Sequence, residues 1–211
     1  LNRPTHGGNL AWAAALAGCS PSLIIDFSAS INPLGPPKSA FLAIEQELKN
    51  LVAYPDPDYW QLRGALSQLH PTLTPEWILP GNGSAELLTW ACRELSQLEE
   101  TGMVTPAFRD YQRALKAFDA QIREYPLNLD SFEVQFPRFS HFQPATFGLL
   151  LNNPHNPTGR LFDVQMIEPL LEQFALVVVD EAFMDFLPPG QEQSLIPMVG
   201  DYENLVILRS L

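Results

Sequence analysis

The sequence predicts an α/β fold in which a mostly parallel β-sheet is sandwiched by helices. Three observations carry this expectation. From residue 77 onward, short apolar runs alternate with helix-length stretches, the order of strands joined by crossover helices. The runs 147–151 and 177–179 are continuously apolar, as strands covered on both faces are. Each run ends abruptly in polar side chains, Asn152-Asn153-Pro154-His155-Asn156-Pro157-Thr158-Gly159 in the first case and Asp180-Glu181 in the second. Ligands of parallel sheets bind beyond the carboxyl ends of the strands, so Asn156 and Asp180 are expected to face one crevice.

The elements follow in order. Residues 9–17 are rich in Ala and Leu and close at Gly18, a short helix with a glycine stop. Residues 23–27 are a short apolar stretch, followed by the turn segment Asn32-Pro33-Leu34-Gly35-Pro36-Pro37. In 39–51, Phe41, Leu42, Ile44, Leu48 and Leu51 share one side, a helical pattern. Residues 58–69 repeat it with Trp60, Leu62, Leu66 and Leu69, and Asp58 is the expected N-cap. A brief strand is expected at 77–80, a helix at 84–98, a strand at 102–105, a helix at 108–118 and a strand at 121–125. Residues 126–144 have no clear period and read as loop. A strand at 146–151, a helix at 163–174, and strands at 175–180 and 204–208 complete the pattern. The chain has no internal repeat and no low-complexity tract.

Composition sets limits. With 211 residues, 46% of them hydrophobic and 17% charged, the chain suits a soluble globular domain or a domain and a half. A formal net charge of −12 argues against nucleic acid or anionic membrane as a partner, because phosphates are repelled. Cys19 and Cys92 are the only cysteines, far apart and without a second ligand pair, so they read as small core residues and no metal site is expected. No run of 18 apolar residues and no basic-then-apolar N-terminal segment is present, so the expected location is cytoplasmic. The 20 prolines are about twice the usual share and cluster at turns, which implies a loop-rich active face.

Gly81-Asn82-Gly83-Ser84-Ala85-Glu86 opens a helix. Free backbone N–H groups and the helix dipole make such a place an anion site, and the glycines let a phosphate approach closely. Taken alone, the segment reads equally as an ordinary N-cap with Glu86 in the first turn. Asp180 follows a fully apolar strand, so its poorly solvated carboxylate seeks a cationic partner such as a protonated pyridine nitrogen. Asn156 can donate an amide N–H to a ring oxygen. Phe108, after a strand end, offers a flat face to an aromatic ring or else belongs to the core.

On these segments the sequence resembles the fold-type-I pyridoxal-phosphate enzymes of the class I/II aminotransferase superfamily. The matching pieces are Asn82-Gly83-Ser84-Ala85-Glu86, Asn156-Pro157-Thr158-Gly159, Asp180-Glu181-Ala182-Phe183 and Leu208-Arg209-Ser210-Leu211. The resemblance implies pyridoxal 5'-phosphate as cofactor. The amides of Ser84 and Ala85 would hold its phosphate with a contact from Ser210. Phe108 would stack on the ring, Asn156 would bond its phenolic oxygen, and Asp180 would pair with its nitrogen. Tyr54 resembles the tyrosine that reaches the neighbouring subunit's phosphate in a homodimer. The family usually has tyrosine where this chain has Phe183, so one phenol hydrogen bond is expected to be absent.

Thr5-His6-Gly7-Gly8-Asn9 and Asp26-Phe27-Ser28-Ala29-Ser30-Ile31-Asn32-Pro33-Leu34-Gly35 resemble the threonine-phosphate decarboxylase branch, and Phe183 fits it. There His6 would bind the substrate's phosphate, with Asn32, Gly35 and Asn156 near its carboxylate. His6 also reads as a solvated terminal residue. The activity implied is decarboxylation of L-threonine O-3-phosphate to (R)-1-aminopropan-2-yl phosphate in cobalamin biosynthesis. A histidinol-phosphate or related aminotransferase is the alternative. The family's cofactor-linking lysine would lie two residues beyond Leu211, and Lys38, Lys49 and Lys116 cannot replace it. The expected organisation is therefore an N-terminal arm and small-domain segment at 1–50 and an incomplete cofactor-binding large domain at 51–211. The C-terminal small domain is expected to be absent, and the chain by itself is expected to be a catalytically silent cofactor-binding module.

Overall fold

The computed structural model describes residues 7–130 and 146–211. The chain divides into two compact units, Leu1–Pro55 and Asp56–Leu211. His6 lies outside the described residues, as does most of the stretch 126–144 read as loop.

The first unit holds α1 (Leu10–Ala17) and α2 (Lys38–Glu47). Asn9 caps α1 by accepting from the Trp12 N–H at 2.9 Å, and Gly18 ends it at φ 66°, a left-handed conformation that glycine adopts without a Cβ clash. Two segments singled out by sequence meet here. The Gly8 N–H donates to Ser28 Oγ at 2.8 Å, and a Cβ on Gly7 would lie 1.8 Å from the Ser28 carbonyl oxygen, so only glycine fits.

The second unit begins with α3 (Trp60–Leu69). The expected cap, Asp58, is displaced by Asp56, whose carboxylate accepts from the N–H groups of Asp58 at 3.0 Å and Trp60 at 2.9 Å. Tyr59, left-handed at φ 52°, turns the chain into the helix and makes the earlier aspartate the one in reach. The strand expected at 77–80 is a 3₁₀ turn, Pro75–Trp77, followed by extended backbone at Ile78. It joins no ladder, because an apolar groove of about 840 Å³ separates residues 77–81 from the sheet's edge strand.

The remaining elements are α4 (Ser84–Leu95), β1 (Glu100–Thr105), α5 (Arg109–Lys116), β2 (Ile122–Pro126), β3 (Phe147–Asn152), α6 (Val164–Leu171), β4 (Leu176–Asp180) and β5 (Leu205–Leu208). The five strands are parallel in the order β2-β1-β3-β4-β5, as the α/β reading required. Alternation along the strands sends side chains to two cores. Leu149, Leu151, Val177 and Val179 pack with Ile167, Leu170 and Leu171 of α6. Leu150 and Val178 pack with Leu88, Cys92 and Leu95 of α4 and Tyr111 and Leu115 of α5. The central strands are apolar on both faces because both faces are covered.

Candidate active site

The strand order reverses at β1. The chain leaves β1 for β2 on one side and returns to β3 on the other, which opens a crevice at the carboxyl ends of β1 and β3. Register aligns what reaches it. Asn152 pairs with Asp180 and Asp180 with Leu208, while Met103 pairs with Leu150, so Thr105 lies level with Asn152. The segments after β1, β3, β4 and β5 therefore emerge in one row.

Asp180 ends β4 with both carboxylate oxygens anchored. Oδ2 accepts from the Tyr111 hydroxyl at 2.6 Å and Oδ1 from the Ala182 N–H at 2.9 Å. Burial pushes its pKa above the usual carboxylate value, against the pull of those two donors. The Tyr111 phenol is 1% exposed, and burial together with the neighbouring Asp180 charge holds its pKa well above 10, so the proton of the pair stays on Tyr111. Among the described residues no Lys, Arg or His forms an ion pair with Asp180. A half-buried carboxylate without a cation among the described residues fits a protonated ring nitrogen.

Phe108 stands at the start of α5, 36% exposed, and meets Tyr111 edge-on with ring centroids 5.5 Å apart at 83°. Phe108, Tyr111 and Asp180 thus form a connected set. The sequence offered a signal for Tyr111 that went unused: it lies three residues after Phe108 on a helix, hence on the same face.

The loop after β3 is braced by residues that sequence reasoning grouped with Asn156. Asn153, fully buried, donates to the Phe162 carbonyl and accepts from the Phe162 N–H, both at 2.9 Å. Its N–H donates to the Asp180 carbonyl at 2.9 Å, carrying the β3–β4 pairing one step further. His155 is 1% exposed, with Nδ1 2.8 Å from Thr158 Oγ1 and Nε2 buried without a partner. Burial, with a smaller contribution from Arg160, lowers its pKa to about 4, so the ring is neutral at physiological pH. Gly159, at φ 70°, closes the turn by donating to the His155 carbonyl. Asn156 takes no part in this bracing and stands half-buried.

The glycine loop leads into α4 through Gly83, at φ 78° and ψ 165°. Gly83 supplies no side-chain cap, so the first-turn N–H groups of Ser84 and Ala85 stay open to an anion. Glu86 turns back and accepts from the Asn82 N–H, holding the loop. Ser84 and Ser210, the two candidate phosphate contacts, both line the groove described above; Ala85, beside Ser84, is exposed. That groove holds neither Phe108, Asn156 nor Asp180, and its lining is largely apolar, so it is not the ring crevice.

The second carboxylate of the pair has a different task. Glu181 is fully buried and accepts from the Leu195 N–H at 2.8 Å, Ser194 Oγ at 2.7 Å and Arg209 Nη1 at 2.9 Å. It clamps the segment after β5 to the end of β4. Arg209 is spanned between Glu181 and Asp185. In the first unit, Asn32 Oδ1 accepts from the Leu34 N–H and Gly35 is left-handed at φ 69°, an Asx turn, while Tyr54 is fully exposed.

The parallel sheet with its switch point, the open helix N-terminus and the half-buried carboxylate at a strand end are the arrangement of an α/β cofactor-binding domain. The sequence profile of the family described as aminotransferase class I and II matches residues 22–211, and the chain belongs to that family. Threonine-phosphate decarboxylase of Salmonella typhimurium is 36% identical across all of this chain and 58% of its own length. Histidinol-phosphate aminotransferase of Bacillus velezensis is 30% identical over 89% of this chain and 53% of its own length. The crystal structure of L-threonine-O-3-phosphate decarboxylase from Porphyromonas gingivalis shares the fold with a TM-score of 0.67 at 24% identity, covering 82% of this chain and 53% of that one. The chain thus spans little more than half the length of these three relatives. No described helix is long and apolar enough to cross a membrane.

Proposed function

We propose that this chain forms the cofactor cradle of a pyridoxal 5'-phosphate enzyme that decarboxylates L-threonine O-3-phosphate to (R)-1-aminopropan-2-yl phosphate in cobalamin biosynthesis. The observation that carries the cofactor assignment is Asp180, a half-buried carboxylate at a strand end that has hydrogen-bond donors but, among the described residues, no cation. Pyridoxal phosphate, when bound, supplies an electron-withdrawing ring that accepts the electron pair left at the substrate's Cα. Asp180 maintains a proton on the ring nitrogen by charge pairing, which keeps the ring electron-poor. Phe108 covers one ring face, and Asn156 donates its amide N–H to the ring oxygen. The open amides of Ser84 and Ala85, with Ser210, take the phosphate at the positive end of α4. His6, Asn32 and Gly35 receive the substrate, and Tyr54 reaches the phosphate of a second subunit in a cytoplasmic homodimer.

The decarboxylase reading is supported by 36% identity that extends across the N-terminal arm, where Gly7 and Gly8 pack on Ser28. The histidinol-phosphate aminotransferases among the relatives give the alternative. Two measurements on the full-length protein separate these readings. Release of carbon dioxide from threonine phosphate supports the first, and amino-group transfer to a 2-oxoacid without carbon dioxide release replaces it with the second. For the cradle, Asp180→Asn is expected to weaken pyridoxal phosphate binding by roughly 10- to 100-fold, the worth of a hydrogen bond to a charged group. Unchanged affinity in equilibrium dialysis would refute the assignment of Asp180.

A further inference from the structure

We propose that Tyr111 is a positioning residue that joins the two ring contacts, orienting Asp180 through its hydroxyl and bracing Phe108 through its ring. This rests on the reading of Asp180 and Phe108 as cofactor contacts. Asp180 and Phe108 arrive from different strand ends, β4 and β1, and are 72 positions apart in sequence. Tyr111 is the side chain that touches both: its hydroxyl lies 2.6 Å from Asp180 Oδ2, and its ring meets Phe108 edge-on at 5.5 Å.

The geometry gives each contact a physical role. An ionised carboxylate has about four lone-pair sites. The Ala182 N–H takes one on Oδ1 and the Tyr111 hydroxyl takes one on Oδ2, which fixes the plane of the group and leaves the remaining lone pairs for a cationic partner. Tyr111 itself cannot drift, since it is 1% exposed and packed among Leu88, Ala114, Leu115 and Val178. A tyrosine here is also chemically selective. Its donor stays protonated across the working pH range, so it bonds Asp180 without adding the positive charge that would compete with a ring nitrogen. Burial alone would push Asp180 toward the neutral acid, and the Tyr111 hydrogen bond acts in the opposite direction.

The test is a pH titration of Asp180 by carbon NMR of the aspartate carboxyl in the cofactor-free full chain. Its signal is assigned by its loss in Asp180→Asn. In Tyr111→Phe, which keeps the ring, proton affinity at Asp180 should rise about tenfold, the effect of removing one donor to the charged form. Pyridoxal phosphate affinity should fall by a similar factor, with the loss growing as pH is lowered. An Asp180 titration unchanged in a natively folded Tyr111→Phe overturns the proposal. Should that variant not fold, global fluorotyrosine labelling retains every ring and hydroxyl while making Tyr111 a stronger donor. Proton affinity at Asp180 should then fall, and an unchanged value equally overturns the proposal. A shift at Asp180 in a chain that takes up no pyridoxal phosphate supports the coupling and refutes the functional reading, so the two failures are distinct.

Discussion

At the scale of single residues, neighbouring polar side chains in the same motif do opposite work. Asp180 and Glu181 are adjacent, yet one presents a carboxylate with no cationic partner among the described residues and the other is consumed by three donors. Asn156 stands free of the bracing that Asn153 and His155 supply to its loop. His155 makes that bracing sensitive to acid. Its folded pKa, about 4, lies below the ordinary value of 6.5, so the unfolded chain takes the proton first as pH falls. Stability is fully present above 6.5 and is lost between there and about 4, by up to roughly 3 kcal/mol. Asp180 contributes with the opposite sign: its raised pKa favours the folded state at low pH and loses that contribution as pH rises through the folded value. Comparing urea unfolding of wild type and His155→Gln at pH 7 and pH 4.5 isolates the histidine. The drop in stability should be smaller in the variant, and equal drops would show that His155 does not carry it.

At the scale of elements, the ends of β4 and β5 are held together by more than their ladder. Glu181 receives Arg209 from the segment after β5 and Leu195 and Ser194 from the connection between the two strands. Glu181→Ala leaves the buried Leu195 N–H without its acceptor and Arg209 with Asp185 alone, and should cost about 3 kcal/mol in stability. Asp185, the other partner of Arg209, is 68% exposed, and Asp185→Ala should cost less than about 1 kcal/mol. Thermal unfolding of the two variants tests the contrast, and similar losses would mean the clamp is not at Glu181. The same clamp fixes where Ser210 leaves β5, which ties a stability element to the proposed phosphate site.

At the scale of the whole molecule, the sheet puts the crevice at its switch point and the two cores on its faces. Cys92 sits in the core between α4, α5 and the sheet, fully buried, and burial pushes its thiol up to about 12. Cys19 is half-buried just after α1. A thiol reagent should therefore modify one cysteine per folded chain promptly, and Cys92 only as the second unit unfolds. Prompt reaction of both thiols in native buffer, or any prompt reaction left in Cys19→Ser, would contradict this placement of Cys92.

Much of this was legible in the sequence because it is written in local pattern. Apolar runs 147–151 and 177–179 are short and bounded by turn residues, as strands covered on both faces are, and the helix between them follows from periodicity. Local pattern failed where a partner decides the outcome. Ile78 is extended but has no ladder, since a strand requires a neighbour and a groove lies where one would be. The cap of α3 moved to Asp56 because Tyr59 turns the backbone left-handed, which no propensity foretells. The sequence by itself determined the fold class and the family. Only the tertiary structure decided the division of labour at the end of β4, through a hydroxyl 69 positions away on Asp180 and a guanidinium 28 positions away on Glu181. Burial and pairing are properties of contacts between distant segments, so identical-looking acids acquire different chemistry only once the chain has folded.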